Sequence, residues 1–163
     1  MMLRYFSLFF LLAISAQQVD AQTLQYTSRD WRVFTHKVNG DTICYMASTP
    51  VKKTGNYNNR SDPFLLVTHR SAKLDEVSVS SGYPYKSNKD VTLTIGKHNH
   101  QLFVQDERAW AKDSKTDMLI VDRMKAGSKL SVKGNSKLNT YSIDTYSLNG
   151  FTAAYAQMKK ICR

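Results

Sequence analysis

Trp31-Arg32-Val33-Phe34-Thr35-His36-Lys37-Val38-Asn39-Gly40-Asp41-Thr42-Ile43-Cys44-Tyr45-Met46-Ala47-Ser48 reads as two strands around a tight turn. Asn39-Gly40 tolerates the positive φ of a two-residue hairpin loop, so Trp31–Val38 and Asp41–Ser48 are expected to pair antiparallel. Further along, Val91, Leu93 and Ile95 alternate with Thr92 and Thr94, giving one apolar, branched strand face and one polar face. Gly96 to Asn99 turns the chain, and Leu102 and Val104 continue the pattern on a returning strand. Phe64–Thr68, Val77–Ser80, Lys129–Lys133 and Thr140–Leu148 are further strand candidates, for a total of about eight.

Two segments break the two-residue period. Asp113 to Ala126 lacks Gly and Pro, places Met118 and Val121, and Ile120 and Met124, at helical spacings, and meets Gly127 where a helix often stops. At the end of the chain Phe151, Ala154, Tyr155, Met158 and Ile161 mark one apolar helix face, with Asn149 as the expected N-cap. Lys159 and Lys160 suit the negative end of that helix. The expected fold is mainly β, a β-sandwich or barrel-like set of antiparallel sheets. One short internal helix and a C-terminal helix packed on the sheet complete it. Thr49 to Asp62, with Pro50, Gly55 and several Asn, shows neither period and is read as a long solvated connector.

Upstream of the hairpin, residues 1–21 read as a cleaved secretory signal. Arg4 supplies a charge, Tyr5 to Ile14 an apolar core, and Val19-Asp20-Ala21 a small-residue exit site, with a cut after Ala16 as the alternative. The apolar run, roughly 10 residues, is short against the about 20 of a bilayer span. No other apolar stretch approaches that length, so no transmembrane span is expected in a mature chain of residues 22–163, read as a single domain, and no Cys follows the run to accept a lipid. The net charge of +10 survives removal of residues 1–21, which carry one base and one acid. Cys44 and Cys162 lie downstream, and an exported chain with an even count is expected to pair them. Two buried free thiols are the alternative. A bridge closing about 118 residues would remove on the order of 4 to 5 kcal/mol of unfolded-chain entropy.

The ordered motifs carry a resemblance. Trp31-Arg32-Val33, Cys44-Tyr45, Asp62-Pro63-Phe64 with Val67-Thr68-His69-Arg70, and Gly82-Tyr83-Pro84-Tyr85 are followed by Ala109-Trp110 and Met124-Lys125-Ala126-Gly127-Ser128. Tyr146 to Ala154 and the terminal Cys162 complete the series. In that order they resemble the invasion-associated locus B family over nearly all of residues 22–163. The resemblance implies an exported, mostly β protein of a Gram-negative envelope, in the periplasm or at the outer-membrane surface, with no known catalytic centre. In the namesake it implies an association with invasion of host cells such as erythrocytes. This chain departs from the pattern in its Asn- and Lys-rich Thr49–Arg60 stretch and in Tyr85, where Phe is common; both bear on partner choice.

Chemistry-bearing motifs are sparse. There is no Gly-x-Ser-x-Gly elbow, no Gly-rich phosphate loop and no His-Glu-x-x-His, and no cofactor is expected. Cys44 as a nucleophile competes with its expected disulfide. His98-x-His100 puts two imidazoles on one strand face, short of the three or four ligands a metal site uses, so no metal site is assigned. Asp106 and Glu107 are neighbours, and strand neighbours point to opposite faces, so they are read as a solvated turn.

The basic residues say more. Lys129 and Lys133 alternate with Leu130 and Val132 and should face water together, with Lys125 before and Lys137 beyond; Lys52-Lys53, Lys86 with Lys89, and Lys112 with Lys115 add local pairs. A charge of +10 exceeds the about 2 to 8 of a typical small soluble domain. The function expected is therefore non-enzymatic. Lys125, Lys129, Lys133 and Lys137 would meet an anionic envelope or host-surface component, or a protein partner. Export argues against nucleic acid. The alternatives are a periplasmic accessory protein that binds an envelope component, and an enzyme with an unrecognised site.

Overall fold

In the computed structural model, which describes residues 22–38, 40–71 and 74–162, all strands belong to one antiparallel sheet. They are β1 (Thr23–Ser28), β2 (Trp31–Val38), β3 (Asp41–Ser48), β4 (Lys52–Gly55), β5 (Phe64–Ser71) and β6 (Leu74–Ser80). After these come β7 (Val91–Ile95), β8 (His98–Gln105), β9 (Arg108–Ala111), β10 (Lys129–Asn135) and β11 (Tyr141–Ser147). Helix α1 (Ser114–Ala126) separates β9 from β10, and α2 (Phe151–Ile161) follows β11. The spatial order is β1-β2-β3-β5-β6-β9-β8-β7-β10-β11-β4. The signal segment 1–21 and Asn39 of the first hairpin lie outside the described residues.

Three strands depart from the expected set. β4 sits inside the stretch read as a connector, and like β1 it is an outermost strand of the sheet. All four β4 residues are exposed, as are five of the six in β1, so neither strand has the buried alternate positions that create a two-residue pattern. β9 is four residues long, too short for alternation to stand out.

The sheet curls around one apolar core. Val33, Met46, Val67 and Val77 are register partners across β2, β3, β5 and β6, and all four are fully buried. Leu93 on β7 and Val132 on β10 meet in the same way on the other side. The curl brings β2 to β11: the Trp31 indole Nε1 donates to the Ser147 carbonyl at 3.0 Å, and its ring meets Phe151 edge-on at 4.9 Å.

The helices fill one end of the inner face. Asp113 caps α1, its carboxylate accepting from Thr116 N at 2.7 Å, and Ile120, Val121 and Met124 turn inward. At α2 the expected Asn149 cap gives way to Gly150, which takes φ 85°, a conformation that suits glycine. A Cβ there would also collide with the Ser28 carbonyl. Phe151, Ala154 and Met158 are the buried face of α2. Cys162 is joined to Cys44 by a disulfide with Cα atoms 6.3 Å apart. Next to it Asp75 holds His69 Nδ1 at 2.7 Å, accepts from the Tyr155 hydroxyl and faces Lys159 Nζ at 3.5 Å, so α2 is tied to the β5–β6 hairpin as well.

The opposite end is closed by loops. Arg60, in the β4–β5 connection, is buried and makes a bidentate pair with Asp144 on β11, at 2.5 and 2.7 Å. Tyr83 and Tyr85 follow the positive-φ Gly82, meet edge-on at 5.5 Å and bond to Ser142 and Ser81. A stretch read as solvated thus contributes an interior cation.

Asp117 carries a pH prediction. β9 pairs with β6 only at Ser78 and Val79, and the next amide, Val77 N, donates instead to Asp117 Oδ1 at 2.8 Å. Burial raises the Asp117 pKa to about 6, against the lowering effect of that bond. The folded state therefore holds a proton that the unfolded chain releases near pH 4, so this group's contribution to stability falls as pH rises from about 4 to 6. At neutral pH the cost is about 3 kcal/mol. Asp117→Asn keeps an acceptor for Val77 and removes the charge. Urea denaturation should show the variant gaining stability over the parent between pH 4 and 7, with the two converging below pH 4. A constant difference across that range would contradict the assignment.

Candidate functional site

β10 lies between β7 and β11, and its alternation decides what each side presents. Leu130, Val132 and Gly134 are buried, whereas Lys129 and Lys133 are exposed on the outer face. Two cross-strand rows frame them. One runs Gln101, Thr92, Lys133, Ile143, Thr54, and the other Asn99, Thr94, Ser131, Thr145, Lys52. Neither row contains a carboxylate. The Thr92 and Thr94 hydroxyls bond across to Gln101 and Asn99 at 3.2 and 2.8 Å, which keeps the β7–β8 side of the face polar and uncharged beside the lysines.

Register brings in a residue that local sequence does not align. Lys52 on β4 stands opposite Thr145, two strands from Ser131, and so shares the outer face with Lys129 and Lys133. With strands about 4.8 Å apart and a rise of about 3.3 Å per residue, the three lysine Cα positions fall within about 15 Å of one another. Lys53 takes the other parity and pairs with Asp62 at 3.2 Å.

The remaining two lysines lie elsewhere. Lys125 is in the last turn of α1, with Nζ 3.1 Å from Asp122 and 4.5 Å from the Tyr155 ring centroid. Lys137 is exposed in the turn after β10, its N–H donating to the Pro84 carbonyl at 3.0 Å. The lysine face extends differently from what the linear spacing implies. Beyond Lys129 it opens into a depression of about 760 Å³ whose lining includes His98, Arg123, Gly127 and Ser128. No carboxylate is among the described residues that line it.

The residues weighed for chemistry are otherwise engaged. His98 and His100 do share a strand face, but His100 Nε2 sits 2.5 Å from an Arg123 guanidinium nitrogen. Burial, then the Arg123 and His98 charges, lower the His100 pKa, so the ring is neutral beside the guanidinium and accepts from it. Asp106 and Glu107 form the β8–β9 turn, Asp106 with φ 53°. Cys44 is in the disulfide, which removes its thiolate. Among the described residues no helix is long and apolar enough to cross a membrane.

A sequence profile described as Invasion associated locus B (IalB) protein matches residues 31–159. A solved structure, described as invasion associated protein b from Bartonella henselae, superposes with a TM-score of 0.63 at 18% identity, over 85% of this chain and 97% of that one. At that identity the likeness speaks for the fold. No curated protein matches the chain in sequence. With the profile spanning the sheet from β2 to the last turn of α2, the chain belongs to the Invasion associated locus B family.

Proposed function

We propose that this is an exported, non-enzymatic protein of a Gram-negative envelope, whose carboxylate-free lysine face binds an anionic surface component and so promotes contact with, or invasion of, a host cell. Residues 1–21 act as the signal, and 22–163 as one mature domain. One observation carries the reading: Lys52, Lys129 and Lys133 converge on one outer face without a carboxylate in either framing row. By contrast, Lys53, Arg70 and Lys125 each have a carboxylate beside them, Asp62, Glu76 and Asp122 respectively. Family membership supports the envelope setting, and the disulfide supports an oxidising compartment.

The interaction should be salt-sensitive, because solvated charges are screened beyond about 10 Å at 0.1 M ionic strength and about 3 Å at 1 M. In a pull-down with immobilised residues 22–163, envelope fractions and host membranes should be retained at 50 mM salt and released at 0.5 M. Retention that is indifferent to salt would contradict the reading. Protease treatment of intact cells separates the locations: digestion places the protein at the surface, while protection assigns it a periplasmic accessory role.

A further inference from the structure

The curled sheet has a second outer region, across β2, β3, β5, β6 and β9, with a different character. Its outward rows run Phe34, Tyr45, Thr68, Glu76 and then Ala47, Leu66, Ser78, Trp110. Apart from the fully buried Ser78, these residues together with Ile43, Phe64 and Arg108 wall a groove of about 610 Å³, within the size range of small-molecule sites. Its aromatic rings are arranged in pairs: Phe34 stacks on Tyr45 at 5.4 Å, and Phe103 backs Trp110 at 5.7 Å. Phe34, Tyr45 and Trp110 are half-buried and Phe103 is exposed, so none is packed into the core, and together they form an apolar patch on the solvent side of the sheet.

One cation stands among the rings. The Arg108 guanidinium lies 5.2 Å from the Phe64 ring centroid and 5.9 Å from that of Trp110, and its Nη2 donates to Ser78 Oγ at 2.8 Å. Among the described residues, the buried Arg108 Nε and the buried Tyr45 hydroxyl have no protein hydrogen-bond partner. Glu76, the carboxylate lining the groove, is held by Arg70 at 3.2 Å. Two guanidinium groups against one carboxylate leave the groove positive. Burial lowers the Arg108 pKa, a sign that the charge is incompletely solvated.

We propose that this groove binds a ring-bearing organic monoanion, with its flat body against Phe34, Tyr45, Phe64 and Trp110 and its anionic group on Arg108. The rings supply area and stacking without sequence-like specificity, and Arg108 fixes orientation through charge-assisted bonds. The groove lies on different strands from the lysine face, so the two sites are independent.

The test uses residues 22–163 with 1-anilinonaphthalene-8-sulfonate as the probe and N-phenyl-1-naphthylamine as its uncharged counterpart. The sulfonate should bind saturably at one site and quench Trp110, while Trp31 stays in the core. Arg108→Gln should weaken the sulfonate at least tenfold and the neutral probe less than threefold, whereas the Lys129→Glu/Lys133→Glu double variant should leave both unchanged. Equal weakening of both probes, no weakening by Arg108→Gln, or loss in the lysine variant would each overturn the proposal. If Arg108→Gln does not fold, competition in the unaltered protein decides. 2-Naphthoate should displace the sulfonate at least tenfold better than 2-naphthalenemethanol, and equal displacement overturns it.

Discussion

Replacing Asp144 with Ala should destabilise the protein by about 3 to 5 kcal/mol, because it strands a guanidinium in the interior. The Arg60 side chain is 3% exposed and that of Asp144 is 0% exposed, so water cannot take the carboxylate's place without opening the end of the sheet. Burial works against the charged form of Arg60. The bidentate Asp144 carboxylate, helped by the Tyr57 hydroxyl, more than offsets it and raises the guanidinium pKa. The Tyr57 ring also lies 4.1 Å under the guanidinium. A double variant, Arg60→Met with Asp144→Leu, should recover much of the loss, since two apolar side chains of similar volume leave no uncompensated charge. Urea denaturation of the single and double variants measures both terms. A single-variant cost under about 1 kcal/mol would mean that Arg60 finds other partners without difficulty.

The second large effect belongs to the disulfide. With 118 residues of sequence separation between Cys44 and Cys162, the paired substitution Cys44→Ala/Cys162→Ala should cost about 3 to 5 kcal/mol, lowering Tm by roughly 10 °C or more. Folding should survive, because α2 keeps Phe151, Ala154 and Met158 in the core and keeps the Asp75 contacts to Tyr155 and Lys159. Hydrogen exchange should locate the weakening: amides near the C-terminal end of α2 should lose protection more than those near Phe151. Uniform loss along α2 would show that the helix undocks as a unit, and an unchanged Tm would show that the bridge constrains little.

How much of this was legible depends on where each residue lies. The β2–β3 hairpin was readable because Trp31, Val33, Cys44 and Met46 are buried at alternate positions of strands with one solvated side. The same logic exposes Lys129 and Lys133 between Leu130 and Val132. It fails for β1 and β4, the outermost strands, where exposure erases the alternation. From the sequence alone Lys52 is half of a local basic pair with Lys53. Its place beside Lys129 and Lys133 depends on the β11–β4 register, a non-local fact about residues some 90 positions apart.

Arg60 was hidden for a related reason: a buried cation in an Asn-rich stretch is announced only by its partner, Asp144, which looks like an ordinary polar residue of an alternating strand. The Asn149 cap failed because the corner needs a positive φ and a close approach to Ser28, both of which favour Gly150. The aromatic groove escaped because alternation assigns outward positions to solvent, and Phe34, Tyr45 and Trp110 occupy such positions on three separate strands.

The lysine face is tested most directly by vesicle flotation of residues 22–163 and of Lys129→Glu/Lys133→Glu, using phosphatidylglycerol mixed into phosphatidylcholine at 50 mM salt. A lysine at an anionic surface contributes about 1 kcal/mol, so losing two of them weakens partitioning about thirtyfold, and reversing their charge should take it further. Phosphatidylcholine alone should bind neither protein. Equal flotation of both proteins with the anionic vesicles would contradict the assignment of this face.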